Sequence, residues 1–345
     1  MQLRTLRVGL VGFGKVGRAF GELLLRERDR LQSEMGIDLV VTGLCTANYG
    51  SVSEPAGIDL RRVLQVAKVR EVQGPFQSST EFASRGPADV VVETTPLEPF
   101  TGAVGTAIIR AALAAGRSVA SANKGPVAHH LRELRQLAHQ HGVHYRFESA
   151  VADGLPVFSL IERTLPGAGV TAVTGLLNST SAMVLEALSE GRTVPEAIQR
   201  AEELGIVEDD PRYDLDGWDA AVKLCALSAA LWDQPMLVQD VEREPLSEIV
   251  CARAIGARTR GNRLVSLARL QLNPERIVRA VVNLVEIGPD SVFFPLTGTS
   301  LGLQFETQLL RPVTISCSEP RLADTAYGLF ADVLTIARDD SAHRR

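Results

Sequence analysis

The amino-acid sequence predicts a two-part α/β chain. A doubly wound parallel sheet comes first, followed by an α+β region with an open sheet. Three observations carry this reading. Short β-branched runs alternate with helical stretches over residues 1–150, the rhythm of parallel βαβ units covered on both faces. After Ala150 that rhythm gives way to longer helices, and strands gather towards the C-terminus. Glycine is frequent (29 of 345 residues) while aromatics are 5%, which suits glycine-punctuated α/β structure better than an aromatic-rich β-sandwich.

At about 150 residues per domain the length corresponds to about two domains. The expected boundaries are 1–150 and 151–310. Residues 311–345 are expected to add a strand and a helix that return to the first domain. In order, Arg7–Val11 is an apolar strand, and Val16–Arg28 has helical spacing at Val16, Phe20, Leu23 and Leu24. Strands follow at Asp38–Cys45, Ala88–Thr95, Ser118–Asn123 and His144–Ser149. Helices are expected at Gly102–Ala115, stopped by Gly116, and at Pro126–His141. In the second part, helices are expected at about 157–165, 181–190 and 194–204, with a strand near 170–177. Gly217–Trp232 is rich in good helix formers. Strands at Arg279–Glu286, Ser300–Thr307 and Val313–Cys317 precede a closing helix, Leu322–Ala337.

Composition excludes several classes. With 22% charged and 45% hydrophobic residues the chain is globular rather than disordered. A net charge of −5 makes a poor non-specific nucleic-acid binder, so no nucleic-acid partner is expected. No C-x-x-C links the four cysteines, Cys45, Cys225, Cys251 and Cys317, and reduced thiols in a cytoplasmic protein are expected. The N-terminus shows no signal-peptide core. The longest uncharged stretch, Pro166–Leu185, contains Asn178, Ser179, Thr180 and Ser181, so no membrane span is expected.

Three segments are candidates for chemistry. Gly12-Phe13-Gly14-Lys15-Val16-Gly17 fits G-x-G-x-x-G between a strand and a helix. Gly12 would permit the tight turn, Gly14 would let backbone approach a pyrophosphate, and Gly17 would let helix pack on strand, as in a Rossmann-type dinucleotide site. The alternative is a β–α turn that needs its glycines for sterics alone. The second strand ends Cys45-Thr46-Ala47-Asn48-Tyr49-Gly50, with no acid for a ribose 2′-hydroxyl and with Lys15 as a nearby cation, so NADP is favoured over NAD. Lys124, in Ala122-Asn123-Lys124-Gly125-Pro126, follows a strand at the edge where open α/β sheets bind ligands. It is either a site lysine or a solvated loop residue.

Third, Glu208 to Lys223 holds several acids ahead of one lysine. Asp216 resembles a helix N-cap, with Asp219 at the third helical position. Asp219 and Lys223, four residues apart, share a helix face. They form either a surface ion pair or the polar lining of a pocket in an otherwise apolar helix. His129, His130, His139, His141 and His144 match no metal-binding spacing and are expected at the surface.

Together, VGFGKVGRAF, ADVVVETTP followed by Thr101-Gly102, SANKGP and LGIVEDDPRYDLDGWDAAVKL resemble the homoserine dehydrogenase family. The likeness is to its shorter members, without a kinase fusion or a regulatory ACT domain. The resemblance runs from about Arg7 to Ala337 and makes the second domain catalytic. It implies NAD(P)-dependent interconversion of aspartate 4-semialdehyde and homoserine, and a homodimer. It implies Lys223 as proton donor and Lys124 as a cation between cofactor and substrate. Glu208, Asp219 and Gly205 would bind the small-molecule substrate, and Thr94 and Thr95 would join the glycine loop around the cofactor. It also implies a monovalent cation, Na+ or K+, on backbone carbonyls of Glu148, Val151, Asp153 and Leu155.

The chain departs from the family at Asn178-Ser179-Thr180-Ser181-Ala182-Met183 in place of N-G-T-T-N-Y. It departs again at Ala152-Asp153 in the cation loop and at Cys317-Ser-Glu319-Pro320-Arg321 in place of a glycine-rich turn. These departures keep open a paralogue acting on another short hydroxy acid or aldehyde, and a catalytically silent NADP-binding protein. If Asp153 points into the substrate pocket, it adds negative charge there.

Overall fold

Apolar alternation over Arg4–Val11 produces strand β1, and the glycine turn that follows it starts helix α1, Lys15–Arg30. The computed structural model describes residues 3–46, 50–65, 74–203, 212–247 and 249–342. The chain divides into two units: residues 1–158 with 321–345, and residues 159–320.

In the first unit, β1 and α1 are followed by β2 (Ile37–Thr46), β3 (Gly50–Ser53), α2 (Leu60–Gln65), α3 (Ser79–Arg85) and β4 (Val90–Glu93). Then come α4 (Ala103–Ala114), β5 (Ser118–Ser121), α5 (Lys124–Gln140), β6 (Tyr145–Arg146), α6 (Ser149–Ala152) and α7 (Val157–Ser159). Six strands lie in the order β3-β2-β1-β4-β5-β6. All pairs are parallel except the edge strand β3, which runs antiparallel to β2. The order reverses at β1, so β1 and β4 flank the crevice where doubly wound sheets bind ligands. The strand expected over 144–149 is cut to two residues, because Ser149 already begins a helical turn.

The second unit holds β7 (Val170–Leu176), α8 (Ser179–Ser189), α9 (Val194–Glu203), α10 (Arg212–Leu215), α11 (Trp218–Trp232), β8 (Glu242–Arg243) and α12 (Val250–Thr259). It continues with β9 (Arg263–Leu272), β10 (Val278–Ile287), β11 (Leu301–Thr307) and β12 (Val313–Cys317). These strands form an open sheet, β12-β11-β7-β9-β10-β8, antiparallel except for the β8–β10 pair. The helix expected at 157–165 is a short turn followed by a widened π-type turn over Leu160–Thr164. Val184, Leu185, Leu188, Val250, Ala254, Leu264 and Leu284 pack helices α8 and α12 against the sheet.

The closing helix α13, Leu322–Ala342, belongs to the first unit. Its Ala326, Leu329, Phe330, Val333 and Ile336 share one apolar core with Leu6, Val8, Phe20 and Leu23. The strand expected to accompany it does not. Val313–Cys317 pairs with β11 in the second sheet, so the return begins only after Pro320. No helix among the described residues is long and apolar enough to cross a membrane.

Candidate active site

The first unit carries the nucleotide candidates at the carboxyl ends of β1, β4 and β5. Gly12 adopts φ +86°, where a Cβ would sit 2.6 Å from the Thr94 carbonyl oxygen. A Cβ on Gly17 would lie 2.9 Å from the Gly12 carbonyl oxygen. Both positions are therefore closed to side chains by packing. Gly14 differs: it precedes the first turn of α1 without a side-chain cap, and no heavy atom lies within 4 Å of where its Cβ would be. The sixteen-residue α1 thus presents its N-terminal N–H groups over open space, the arrangement that accepts a pyrophosphate. The residues present fit a dinucleotide. Phe13 is buried, with the Arg18 guanidinium 4.9 Å from its ring centre, while Lys15 is exposed and Val16 half-buried.

Glu93, at the end of β4, is fully buried and ties these turns together. One carboxylate oxygen accepts from the Thr95 N–H at 2.8 Å and from the Thr95 hydroxyl, and the other accepts from the Ser121 hydroxyl at 2.6 Å. Burial pushes its carboxyl above the ordinary range, and these hydrogen bonds oppose that shift. Thr94 donates its hydroxyl to the Gly12 carbonyl at 3.2 Å. Asn123 caps α5 by accepting from the Gly125 N–H at 3.1 Å, which makes the half-buried Lys124 the first helical residue. Thr94, Thr95 and Lys124 are thus held by one buried carboxylate and its neighbours. Glu93 carries no site signal of its own in the VVVETT run, because burial is what turns a strand-end acid into a clamp.

The second unit carries the lysine–carboxylate candidates. Asp216 is not the cap of α11. Gly217, at φ +75°, occupies that position without a side-chain bond, so Asp219 is the second helical residue. Lys223 Nζ lies 2.9 Å from Asp219 Oδ2 and donates to the Leu177 carbonyl at 2.5 Å. The lysine side chain is 14% exposed and the aspartate 9%, which removes the surface-pair reading. Asn178 donates its amide to the same Asp219 Oδ2 at 2.9 Å and to Asp214 Oδ1 at 2.7 Å. Burial pushes the Asp214 carboxyl up, the Asp219 charge adds to that, and Asn178, Thr180 and Lys223 work against it. Neither Asn178 nor Asp214 stood out as a site residue in the sequence. Their signal was the Asn of Asn178-Ser179-Thr180-Ser181 placed directly after a strand. Gly205 and Glu208 lie outside the described residues, as does Asn48.

The loop expected to hold a cation lies in the first unit. Glu148 is buried, and its Oε1 accepts from the Phe158 N–H at 2.7 Å. Asp153 adopts φ +51°, and its Oδ1 accepts from the Thr325 hydroxyl at 2.7 Å, at the start of α13. Both carboxylates are engaged by protein groups. Val151 and Leu155 are buried, and the Leu155 carbonyl accepts from the Val157 N–H at 2.8 Å. Among the described residues no group of three His, Cys, Asp or Glu side chains is placed to hold a metal ion. The His129 ring meets the Pro99 carbonyl at 2.8 Å, and it is half-buried rather than at the surface.

The homoserine dehydrogenase family model matches residues 156–334, and the homoserine dehydrogenase NAD-binding domain model matches residues 12–148. The chain is 29% identical over 336 residues to the NAD(+)-dependent homoserine dehydrogenase of Pseudomonas canavaninivorans, covering 96% of each chain. It is also 29% identical over 336 residues to the homoserine dehydrogenase of Methanocaldococcus jannaschii, covering 95% of this chain and 97% of that one. A hyperthermophilic archaeal homoserine dehydrogenase solved in complex with NADPH shares the fold, with a TM-score of 0.82 at 23% identity, over 97% of this chain and 98% of that one. The glycine turn over an open helix N-terminus and the buried lysine–aspartate pair thus sit in a chain that belongs to the homoserine dehydrogenase family of NAD(P)-dependent oxidoreductases.

Proposed function

We propose that this enzyme interconverts aspartate 4-semialdehyde and homoserine, with Lys223 as the proton donor and acceptor at the reacting oxygen. The observation that carries the assignment is the surroundings of Lys223. An ammonium has three N–H donors. Among the described residues, Asp219 and the Leu177 carbonyl take up two directions, in a helix whose neighbouring side chains Ala220, Ala221, Leu224 and Ala226 are apolar and buried. The remaining donor direction suits a substrate oxygen. When bound, the nicotinamide supplies or accepts the hydride at the substrate carbon. In reduction, Lys223 gives its proton to the aldehyde oxygen as negative charge develops there, and is left as the neutral amine. In oxidation, the neutral amine takes the hydroxyl proton. Lys124 serves as a second cation for that oxygen, and Asp219 with Glu208 and Gly205 receives the substrate ammonium.

Gly12, Gly14 and Gly17 with Phe13, Lys15, Val16, Thr94 and Thr95 bind the nucleotide. NADP(H) is favoured over NAD(H), because Cys45–Gly50 offers no carboxylate against a 2′-phosphate. For Na+ or K+ the donors are the main-chain carbonyls of Glu148, Val151, Asp153 and Leu155, hard oxygens of the kind such ions take. A thermal shift that distinguishes KCl or NaCl from choline chloride at equal ionic strength tests that set. The enzyme acts as a homodimer, checked by light scattering, and cysteines without a C-x-x-C among them suit the cytoplasm. The central test is the absorbance of reduced nicotinamide with homoserine, then with a panel of short hydroxy acids. Turnover of homoserine above the panel supports the assignment, and turnover of another member alone overturns it.

A further inference from the structure

Among the described residues the Asn178 side chain makes three hydrogen bonds, and one of them is structural in the ordinary sense. Its Oδ1 accepts from the Ser181 N–H at 2.7 Å and caps α8. Its Nδ2 donates to Asp214 Oδ1 at 2.7 Å and to Asp219 Oδ2 at 2.9 Å. That second oxygen is the one 2.9 Å from Lys223 Nζ, and the residue before Asn178, Leu177, supplies the carbonyl that Nζ meets at 2.5 Å. Two consecutive residues after β7 therefore fix both the lysine and its counter-ion.

The two carboxylates come from different helices, α10 and α11; burial, and after it the charge of Asp219, pushes the Asp214 carboxyl up. A single amide donating to both holds them at a fixed spacing. We propose that Asn178 is a positioning residue for the reaction. Its amide bridges Asp214 to Asp219, and so sets the direction in which Asp219 holds Lys223. This rests on the assignment of Lys223 as the proton donor.

The cap and the bridge can be separated by mutation. Asn, Asp and Ser are equally good N-cap residues. Asn178→Asp and Asn178→Ser keep an acceptor for the Ser181 N–H. Asp has no donor for the carboxylates, and the Ser hydroxyl has one proton on a shorter stem. Asn178→Ser adds no charge, so it folds without new repulsion.

For both variants the expected result is a fall in kcat of about 10- to 100-fold, the scale of a misplaced catalytic group. The nucleotide KM should stay within about twofold, since the glycine loop belongs to the other unit. The charged groups facing Lys223 among the described residues are Asp219 on its own helix and Asp214 on α10. A third carboxylate in Asn178→Asp favours the ammonium form, so the limb on which homoserine oxidation rises with pH moves to higher pH. A residue that only capped α8 would leave kcat unchanged in both variants, since both keep the cap. Retention of kcat within twofold in Asn178→Ser, or an unmoved limb in folded Asn178→Asp, overturns the proposal. Lys223→Ala is assayed alongside. If it remains active, the assignment of Lys223 itself fails. If it is inactive while the Asn178 variants behave as wild type, only the bridging role fails.

Discussion

Replacing Lys223 by alanine removes the proposed proton donor and a buried counter-ion in one step, and the two losses are separable by assay. As a general acid and base a positioned side chain contributes about 100- to 10,000-fold. Loss of the lysine should therefore cost kcat about 1,000-fold, or ~4 kcal/mol of transition-state stabilisation. Stability changes for a different reason. The Asp219 carboxylate is 9% exposed and 2.9 Å from the ammonium, and truncating one partner of a buried pair costs about 3–5 kcal/mol.

The lysine is 14% exposed and Asn178 still donates to Asp219, so roughly 2–3 kcal/mol is expected here. That corresponds to a fall of several degrees in melting temperature. Without the cation the buried Asp219 carboxylate has lost its counter-charge, so its ionised form is disfavoured in the folded variant. The stability deficit relative to wild type should thus be full at neutral pH, where the carboxylate is ionised, and shrink in acid as it is protonated. Nucleotide affinity by titration calorimetry should be unchanged. Near-normal kcat, or a stability deficit independent of pH, would refute the reasoning.

Further outcomes follow from the same geometry. Gly14→Ala should fold with wild-type stability, since its Cβ enters open space, yet weaken nucleotide binding measurably in calorimetry. Gly12→Ala, at φ +86° with the Thr94 carbonyl 2.6 Å from the new atom, should lower the melting temperature as well. Asp214→Asn should stabilise the protein at neutral pH. The folded-state carboxyl is raised, so its ionisation opposes folding there, and the gain over wild type should vanish in denaturant melts below pH ~4. Glu93→Ala should strand the Thr95 and Ser121 donors, at about 2–4 kcal/mol in chemical denaturation, with Glu93→Gln losing less because the amide oxygen still accepts.

The first domain was legible because its rules are local. A β-branched run, three glycines at fixed spacing and the Phe20, Leu23, Leu24 stripe state a strand, a turn and a helix that packs back. The structure places all three there. The same local chemistry put Lys223 and Asp219 on one helix face. What residues 263–272 become was not legible. Leu, Ala, Arg and Gln are helix formers, yet the segment is strand β9, because β7 and β10 lie on either side and supply its hydrogen-bond partners. Helix α12 is not legible in the sequence either, since its weak stripe is completed only by contacts with α8 and β9.

The sequence alone determined the local pieces: a glycine turn between a strand and a helix, and a lysine four residues after an acid on one helix face. Tertiary structure decided their state. It buried the Lys223–Asp219 pair that spacing would equally place in solvent. It brought Asp214 and Asn178 to that pair from separate elements, and it turned Asp153 onto Thr325. It also sent α13 back to the first core while leaving β12 in the second sheet. Burial and like-charge proximity are properties of neighbours distant in the chain, and periodicity carries no record of them.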